Sequence, residues 1–177
     1  SIWRELAKTN GLNDFFFVAE DTDNRYKGLI LPKGIDATYN NDGINVFHHL
    51  TKLDKVWRYL KMRFLHKPAA FKYNYAMRFM LSEDCKRNDT MPCIFPNWDH
   101  SPRSGGNARL LTDSTPQLFK QLAIRAINMV KHKPSEEQII FIKSWNEWGE
   151  GNYMEPDLEF GKGYICALKE AIVESKE

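Results

Sequence analysis

The sequence predicts an α/β fold, and three observations carry that reading. Four apolar runs of strand length recur along the chain, each ending in polar or aromatic residues. Between them lie segments whose apolar positions repeat every three or four residues, the helical period. After an opening helix, strand, polar loop and helix alternate, the pattern of a parallel sheet with helical crossovers. Folds of this kind gather functional residues at the C-terminal ends of their strands.

Each element has its own signal. Trp3 to Lys8 reads as the end of a helix stopped by Asn10-Gly11. Asp14 to Glu20 is the first strand, ending in Glu20-Asp21, and Ile35 to Tyr39 the second, ending in Asn40-Asn41-Asp42-Gly43. From Val46 to about His66, the positions Phe47, Leu50, Leu53, Trp57, Leu60 and Phe64 recur at helical spacing. A further helical piece covers Tyr75 to Leu81. Met91 to Phe95 is the third strand and leads into Trp98-Asp99. Thr115-Pro116 is a strong helix start, an N-cap hydroxyl followed by proline at the first helical position. The stripe Leu118, Phe119, Leu122, Ala123, Ala126, Ile127 and Val130 follows it. Gln138 to Lys143 is the fourth strand, and Phe160 to Val173 the closing helix. An open, flavodoxin-like sheet is one architecture this order allows.

Length and composition narrow the classes. A chain of 177 residues reads as one domain, 1–177. A net charge of +2 favours no polyanionic partner, and neither fold nor charge points to nucleic acid. No apolar stretch reaches the ~18 residues of an integral membrane segment, and the N-terminus reads as an amphipathic helix rather than a signal peptide. Three cysteines, Cys85, Cys93 and Cys166, have no metal-ligand spacing, so buried thiols in a reducing, cytoplasmic setting are expected. The histidines His48, His49, His66, His100 and His132 also lack a metal motif, and no metal or cofactor is expected. There is no phosphate-binding loop or serine elbow; Gly105-Gly106 reads as a flexible turn. Lys52, Lys55, Arg58, Lys61, Arg63, Lys67 and Lys72 stand against Asp54 alone. Such a run is read as the solvated face of a helix, with attraction to an anionic membrane, a lipid phosphate or an acidic glycan as the alternative.

The fourth strand carries the chemistry. Ile139 to Ile142 ends in Trp145-Asn146-Glu147-Trp148-Gly149-Glu150-Gly151. Burial explains the isoleucines but not two carboxylates and two indoles on the turn that follows. Paired carboxylates suit sugar chemistry, one protonating a leaving oxygen while the other acts as base or nucleophile. Indole faces stack on the C–H faces of a pyranose. Glu147 and Glu150 are therefore the candidate catalytic pair, and Gly149 and Gly151 ease the steric limits of their turn. Trp145 and Trp148 are candidate sugar platforms, or one of them packs in the core. Asn146 would orient a carboxylate or a sugar hydroxyl. Glu155 and Asp157 extend the acidic loop, Asp157 doubling as a candidate helix cap. Asp99 would accept from sugar hydroxyls, and Arg103 would donate to them or hold a catalytic carboxylate; a structural Asp–Arg brace is the alternative. Trp98 reads as pocket wall. Glu20, Asp21, Tyr39 and Asn40 enter on position alone.

Two of these segments resemble a known family. Trp145 to Asp157 (Trp-Asn-Glu-Trp-Gly-Glu-Gly-Asn-Tyr-Met-Glu-Pro-Asp) is similar to the signature of the WbsX-type glycosyltransferases, which are allied to glycoside hydrolase family 99, the endo-alpha-mannosidases. Phe95 to Arg103 resembles the Trp-Asp-Asn-Thr-Pro-Arg segment of the same group, with His100 where members often carry Asn. The run Tyr164 to Leu168 agrees with the helix that follows. The resemblance implies a barrel fold and a retaining reaction in which the substrate's own 2-hydroxyl takes part. On it, Glu147 would be the base assisting that hydroxyl, and Glu150 the general acid and later base. Gly149 departs from the histidine usual in family 99 hydrolases, so a mannosidase substrate does not follow.

A (β/α)8 barrel needs ~250 residues, and this chain offers four strand–helix units, begins within a helix and has no initiator methionine. The expectation is the C-terminal half of a TIM barrel, a fragment whose partners are a carbohydrate substrate and the missing N-terminal half. The expected function is glycosyl transfer or glycosidic bond hydrolysis in surface polysaccharide metabolism. A non-catalytic carbohydrate-binding half-barrel is the alternative, and a small open-sheet protein of unrelated function the third reading.

Overall fold

The computed structural model describes residues 2–21, 26–40 and 45–176; the Asn41-Asp42-Gly43 part of the expected turn lies outside them. In chain order the elements are α1 (Ile2–Thr9), β1 (Val18–Glu20), α2 (Lys27–Ile30), β2 (Ala37–Tyr39), α3 (Lys52–Leu65), β3 (Ala69–Lys72), α4 (Tyr73–Ala76), β4 (Thr90–Met91), β5 (Cys93–Ile94), α5 (Ser101–Ser104), β6 (Arg109–Thr112), α6 (Pro116–Val130), β7 (Phe141–Ile142), β8 (Asn146–Glu147), β9 (Asn152–Tyr153) and α7 (Gly163–Glu174).

Strands β1, β2 and β4 pair in parallel in that order, and β5 pairs in parallel with β7. Pro92 separates β4 from β5 because it brings no N–H to the ladder. Its carbonyl still accepts from the Phe141 amide at 2.9 Å, and that of Ile94 from Lys143 at 3.0 Å. The four expected strands thus lie side by side in sequence order, all pointing the same way. Their C-terminal ends, where the candidate residues sit, share one side of the sheet.

Beneath this sheet α6 and α7 form the core. Phe119, Leu122, Ala123 and Ala126 of α6 and Tyr164, Ala167 and Ala171 of α7 are buried with Phe71, Tyr73, Ile94 and Met154. Tyr73 is fully buried and donates its hydroxyl proton to the Phe95 carbonyl at 2.5 Å; burial pushes its phenol well above the usual range.

The connections differ from the simple alternation. The expected helix over Val46–His66 is a 3-10 turn at Asn45–Phe47 followed by α3, whose N-cap Thr51 accepts from the Asp54 amide. The expected Tyr75–Leu81 helix is the single turn α4, and α7 starts three residues later than expected. Strands β3 and β6 form a second parallel pair that hydrophobic runs did not announce. Gly106 does not serve a flexible turn: a side chain there would lie 2.5 Å from the His66 carbonyl oxygen, so the turn packs closely against the end of α3. Among the described residues, no helix is long and apolar enough to cross a membrane, and no group of three or more His, Cys, Asp or Glu could hold a metal ion.

Candidate functional site

After β7 the chain turns into an antiparallel hairpin. Asn146 pairs with Tyr153 and Glu147 with Asn152, closed by a 3-10 turn at Trp148–Glu150. Ser144 sets the hairpin's root: its hydroxyl donates to the Asn152 carbonyl at 2.7 Å and accepts from the Glu147 amide at 3.1 Å. Asn97 fixes the other strand, its side-chain oxygen accepting from the Tyr153 amide at 2.9 Å. Gly151 ends the turn at φ +51°, and a Cβ there would sit 2.9 Å from that of Asp99. Both constraints call for glycine.

That contact joins the two segments singled out in the sequence. The Asp99 amide donates to the Glu150 carbonyl at 2.8 Å, while the Asp99 carboxylate accepts from the Ser101 amide and starts α5. One turn later Arg103 reaches both candidate glutamates. Its Nη2 donates to Glu147 Oε1 at 3.0 Å, and its Nη1 lies 3.3 Å from Glu150 Oε1. A planar guanidinium suits two carboxylates in this way. Glu150 keeps 16 % of its side chain exposed and Glu147 40 %, so one carboxylate lies deeper than the other. His100 adds a second polar neighbour, its Nε2 at 3.7 Å from Glu150 Oε1 and its Nδ1 at 2.9 Å from the Ser104 hydroxyl.

The aromatic residues divide. Trp148 stacks on Tyr153 with ring centres 3.8 Å apart, and its indole N–H donates to Glu155 at 2.6 Å. Trp145 is exposed, and its carbonyl accepts from the amides of Met154 and Glu155. Trp98 stacks on Phe95 with ring centres 5.7 Å apart, with the Lys143 ammonium 5.3 Å from its ring. A cavity of about 410 Å³ is lined by Trp98, Asp99, Asp113, Gly151, Tyr153 and Asp157 among others. Neither glutamate lines it, so the cavity adjoins the carboxylate pair through Asp99 and Gly151 without containing it.

Other candidates take structural places. Asp157 accepts from the amides of Glu159 and Phe160 and so caps the turn before α7 rather than the helix itself. Asp21 is buried, and both of its oxygens accept from the Tyr26 amide; it fastens a connection. Tyr39 donates to Glu20 at 3.2 Å and stacks on Phe141 across the intervening strand. Ser144 has no signal in the sequence beyond its place beside Trp145, whereas Asn97 and Tyr153 lie inside the two marked segments, Phe95 to Arg103 and Trp145 to Asp157, without being singled out there.

Comparisons with known proteins bear on the family and the fold. The model of the family described as glycosyltransferase WbsX matches residues 1–168. An uncharacterized protein WxcX of Xanthomonas campestris pv. campestris (strain B100) is 30% identical over 87 residues, 49% of this chain and 12% of that protein. Among solved structures, a glycoside hydrolase-like protein superposes at a TM-score of 0.58 and 15% identity, over 96% of this chain and 47% of its own. The GH99 endo-alpha-mannosidase from Bacteroides thetaiotaomicron, in complex with BIS-TRIS-propane, gives 0.50 at 15% identity, over 92% and 47%. The chain therefore shares its fold with these proteins and spans about half the length of each solved chain.

Proposed function

The chain belongs to the WbsX glycosyltransferase family, and we propose that it acts on glycosidic bonds of a polysaccharide, with Glu147 and Glu150 as the acid–base pair. The observation that carries this reading is the single Arg103 guanidinium holding both carboxylates at the mouth of a parallel sheet. Glu147, the more exposed, takes the proton of a substrate hydroxyl as that oxygen closes on the anomeric carbon, while Glu150, deeper and beside His100, protonates the leaving oxygen. In the second step Glu150 withdraws a proton from the acceptor that attacks the anomeric carbon, and Glu147 returns its proton to the hydroxyl oxygen released. Water as acceptor gives hydrolysis, and a sugar hydroxyl gives transfer. Trp145, Trp148 and Asn146 would hold the sugar beside the pair, and Trp98, Asp99 and Glu155 would shape the approach.

The four parallel strands in sequence order, together with a span of 47% of the solved neighbours, support a half-barrel. In that reading the remaining strands complete the pocket.

Glu147→Gln and Glu150→Gln test the assignment against a panel of labelled oligosaccharides. Each should lower turnover by about 10²-fold or more, the usual share of acid–base catalysis, while saturation-transfer NMR still detects the bound glycan. Glycan binding with no turnover in the unmodified protein would instead favour a carbohydrate-binding module. Full activity in both variants would remove the pair from the mechanism.

A further inference from the structure

Helix α3 faces the rest of the molecule with two basic side chains and with Met62, which packs on the core. Along its length only Lys55, Arg58 and Met62 are partly withdrawn from solvent, and no residue is buried. Arg58 donates to the Ala70 carbonyl at 2.8 Å and lies 4.2 Å over the Phe71 ring. Lys55 donates to the His48 carbonyl at 3.4 Å. At 3.6 residues per turn, the opposite face carries Leu53, Val56, Trp57, Leu60 and Phe64. All five are exposed, Leu53 at 82%, Phe64 at 71% and Trp57 at 59%. The helix therefore turns a continuous apolar arc outward.

Cations border that arc. By the same helical geometry Lys61 lies on one side of it, and Lys52 and Arg63 on the other. The Lys61 ammonium sits 5.0 Å over the Trp57 ring. A groove of about 390 Å³ beside the helix is lined by Trp57, Arg58, Lys61 and Lys67, with Asp54 the one carboxylate in its wall. We propose that α3 is an interfacial helix that rests on an anionic lipid bilayer. Its apolar arc enters the acyl boundary, and the Arg58–Lys61–Lys67 groove meets lipid phosphates. An apolar face with Trp, Phe and Leu between Lys and Arg flanks is the pattern of such helices, and basic residues near the surface add attraction to anionic lipid. A second copy of this chain would bring like charges together around the same arc. A bilayer of opposite charge meets both the arc and its rim.

Flotation of the full chain with vesicles tests the proposal. Recovery is expected with phosphatidylcholine vesicles containing phosphatidylglycerol, not with phosphatidylcholine alone, and should fall as salt is raised. Leu53→Ser/Phe64→Ser and Lys61→Glu/Lys67→Glu should each reduce recovery about tenfold or more, with thermal melting unchanged because all four positions are exposed. Four results would overturn the proposal. The chain could stay unbound, or bind neutral vesicles equally well. Inorganic phosphate at constant ionic strength could release it fully, marking a free-anion site. Or Leu53→Ser/Phe64→Ser could dissociate a dimer in sedimentation without changing recovery, which assigns the arc to self-association.

Discussion

Arg103 and Arg87 each hold carboxylates, yet they do different work. The Arg103 guanidinium is half exposed, and ion pairs at such positions add little to stability; its consequence is to fix where Glu147 and Glu150 point. Arg87 serves the frame. Asp89 accepts from Arg87 Nε and Nη2 at 3.1 and 3.0 Å, from Lys27 at 2.7 Å and from the Thr90 hydroxyl, while its carbonyl accepts from the Thr38 amide of β2. The Arg87 bond above all, then Lys27 and Thr90, hold the Asp89 carboxyl well below the usual carboxylate range against the opposing effect of burial. A carboxyl depressed in the folded state contributes stability in full above its unfolded pKa of about 3.9 and loses it as pH falls toward the folded value. Asp89→Asn should therefore be less stable than the parent at pH 7, with the gap narrowing steadily as pH falls below about 4. Urea titrations across that range read it directly, and a gap independent of pH would assign the role of Asp89 to something other than its charge. The partners of Arg87 and Asp89 carried no local signal in the sequence. Arg103 read either as the holder of a catalytic carboxylate or as a brace for Asp99, and the structure turns it to both glutamates; the close approach of Gly151 to Asp99 beside it is a tertiary fact.

Helix α6 shows what makes an element legible. A capping hydroxyl, a proline at the first position and a seven-residue apolar stripe all point to one helix, and the structure forms it from Pro116 to Val130. Thr115 accepts from the Leu118 amide at 3.3 Å. Thr115→Ala should cost about 1 kcal/mol of stability, the usual value of a helix N-cap, measured by chemical denaturation. Thr115→Ser should restore most of it, whereas equal losses in both would place the effect in packing of the threonine methyl. In α3 the spacing predicted a helix but could not say which way its stripe faces. Periodicity reports that a helix has an apolar side, not what covers it. Strands β3 and β6 were not foreseen because neither lies in a longer apolar run, and β3 alternates buried and exposed positions too briefly to outweigh the helical pattern before it. The β8–β9 hairpin interrupts what read as one turn, since its pairing depends on Ser144 and Asn97 rather than on any local run.

At the scale of the molecule, the central sheet ends at β1 on one side and at β7 on the other among the described strands. Edge strands with unpaired backbone groups weaken a sheet's cooperativity and invite pairing. Besides α3, the helix α1 exposes Ile2, Trp3 and Leu6. Much of the apolar surface thus lies outside the α6–α7 core, so we predict that the sheet of this chain opens under mild denaturant. The cysteines report it. Cys166 is exposed on α7, whereas Cys85 and Cys93 are buried, and burial pushes the Cys93 thiol up to about 12. A thiol reagent at neutral pH should modify Cys166 at once. Cys93, in the middle of the sheet, reacts only when β5 is released, because attack needs both access and the thiolate. Cys85 and Cys93 should therefore become reactive together at low urea, before α6 and α7 lose their helical circular dichroism. Simultaneous loss of helix and protection in one steep transition at high urea would show instead that the sheet and the α6–α7 core stand or fall as one unit, with no weakness at its edges.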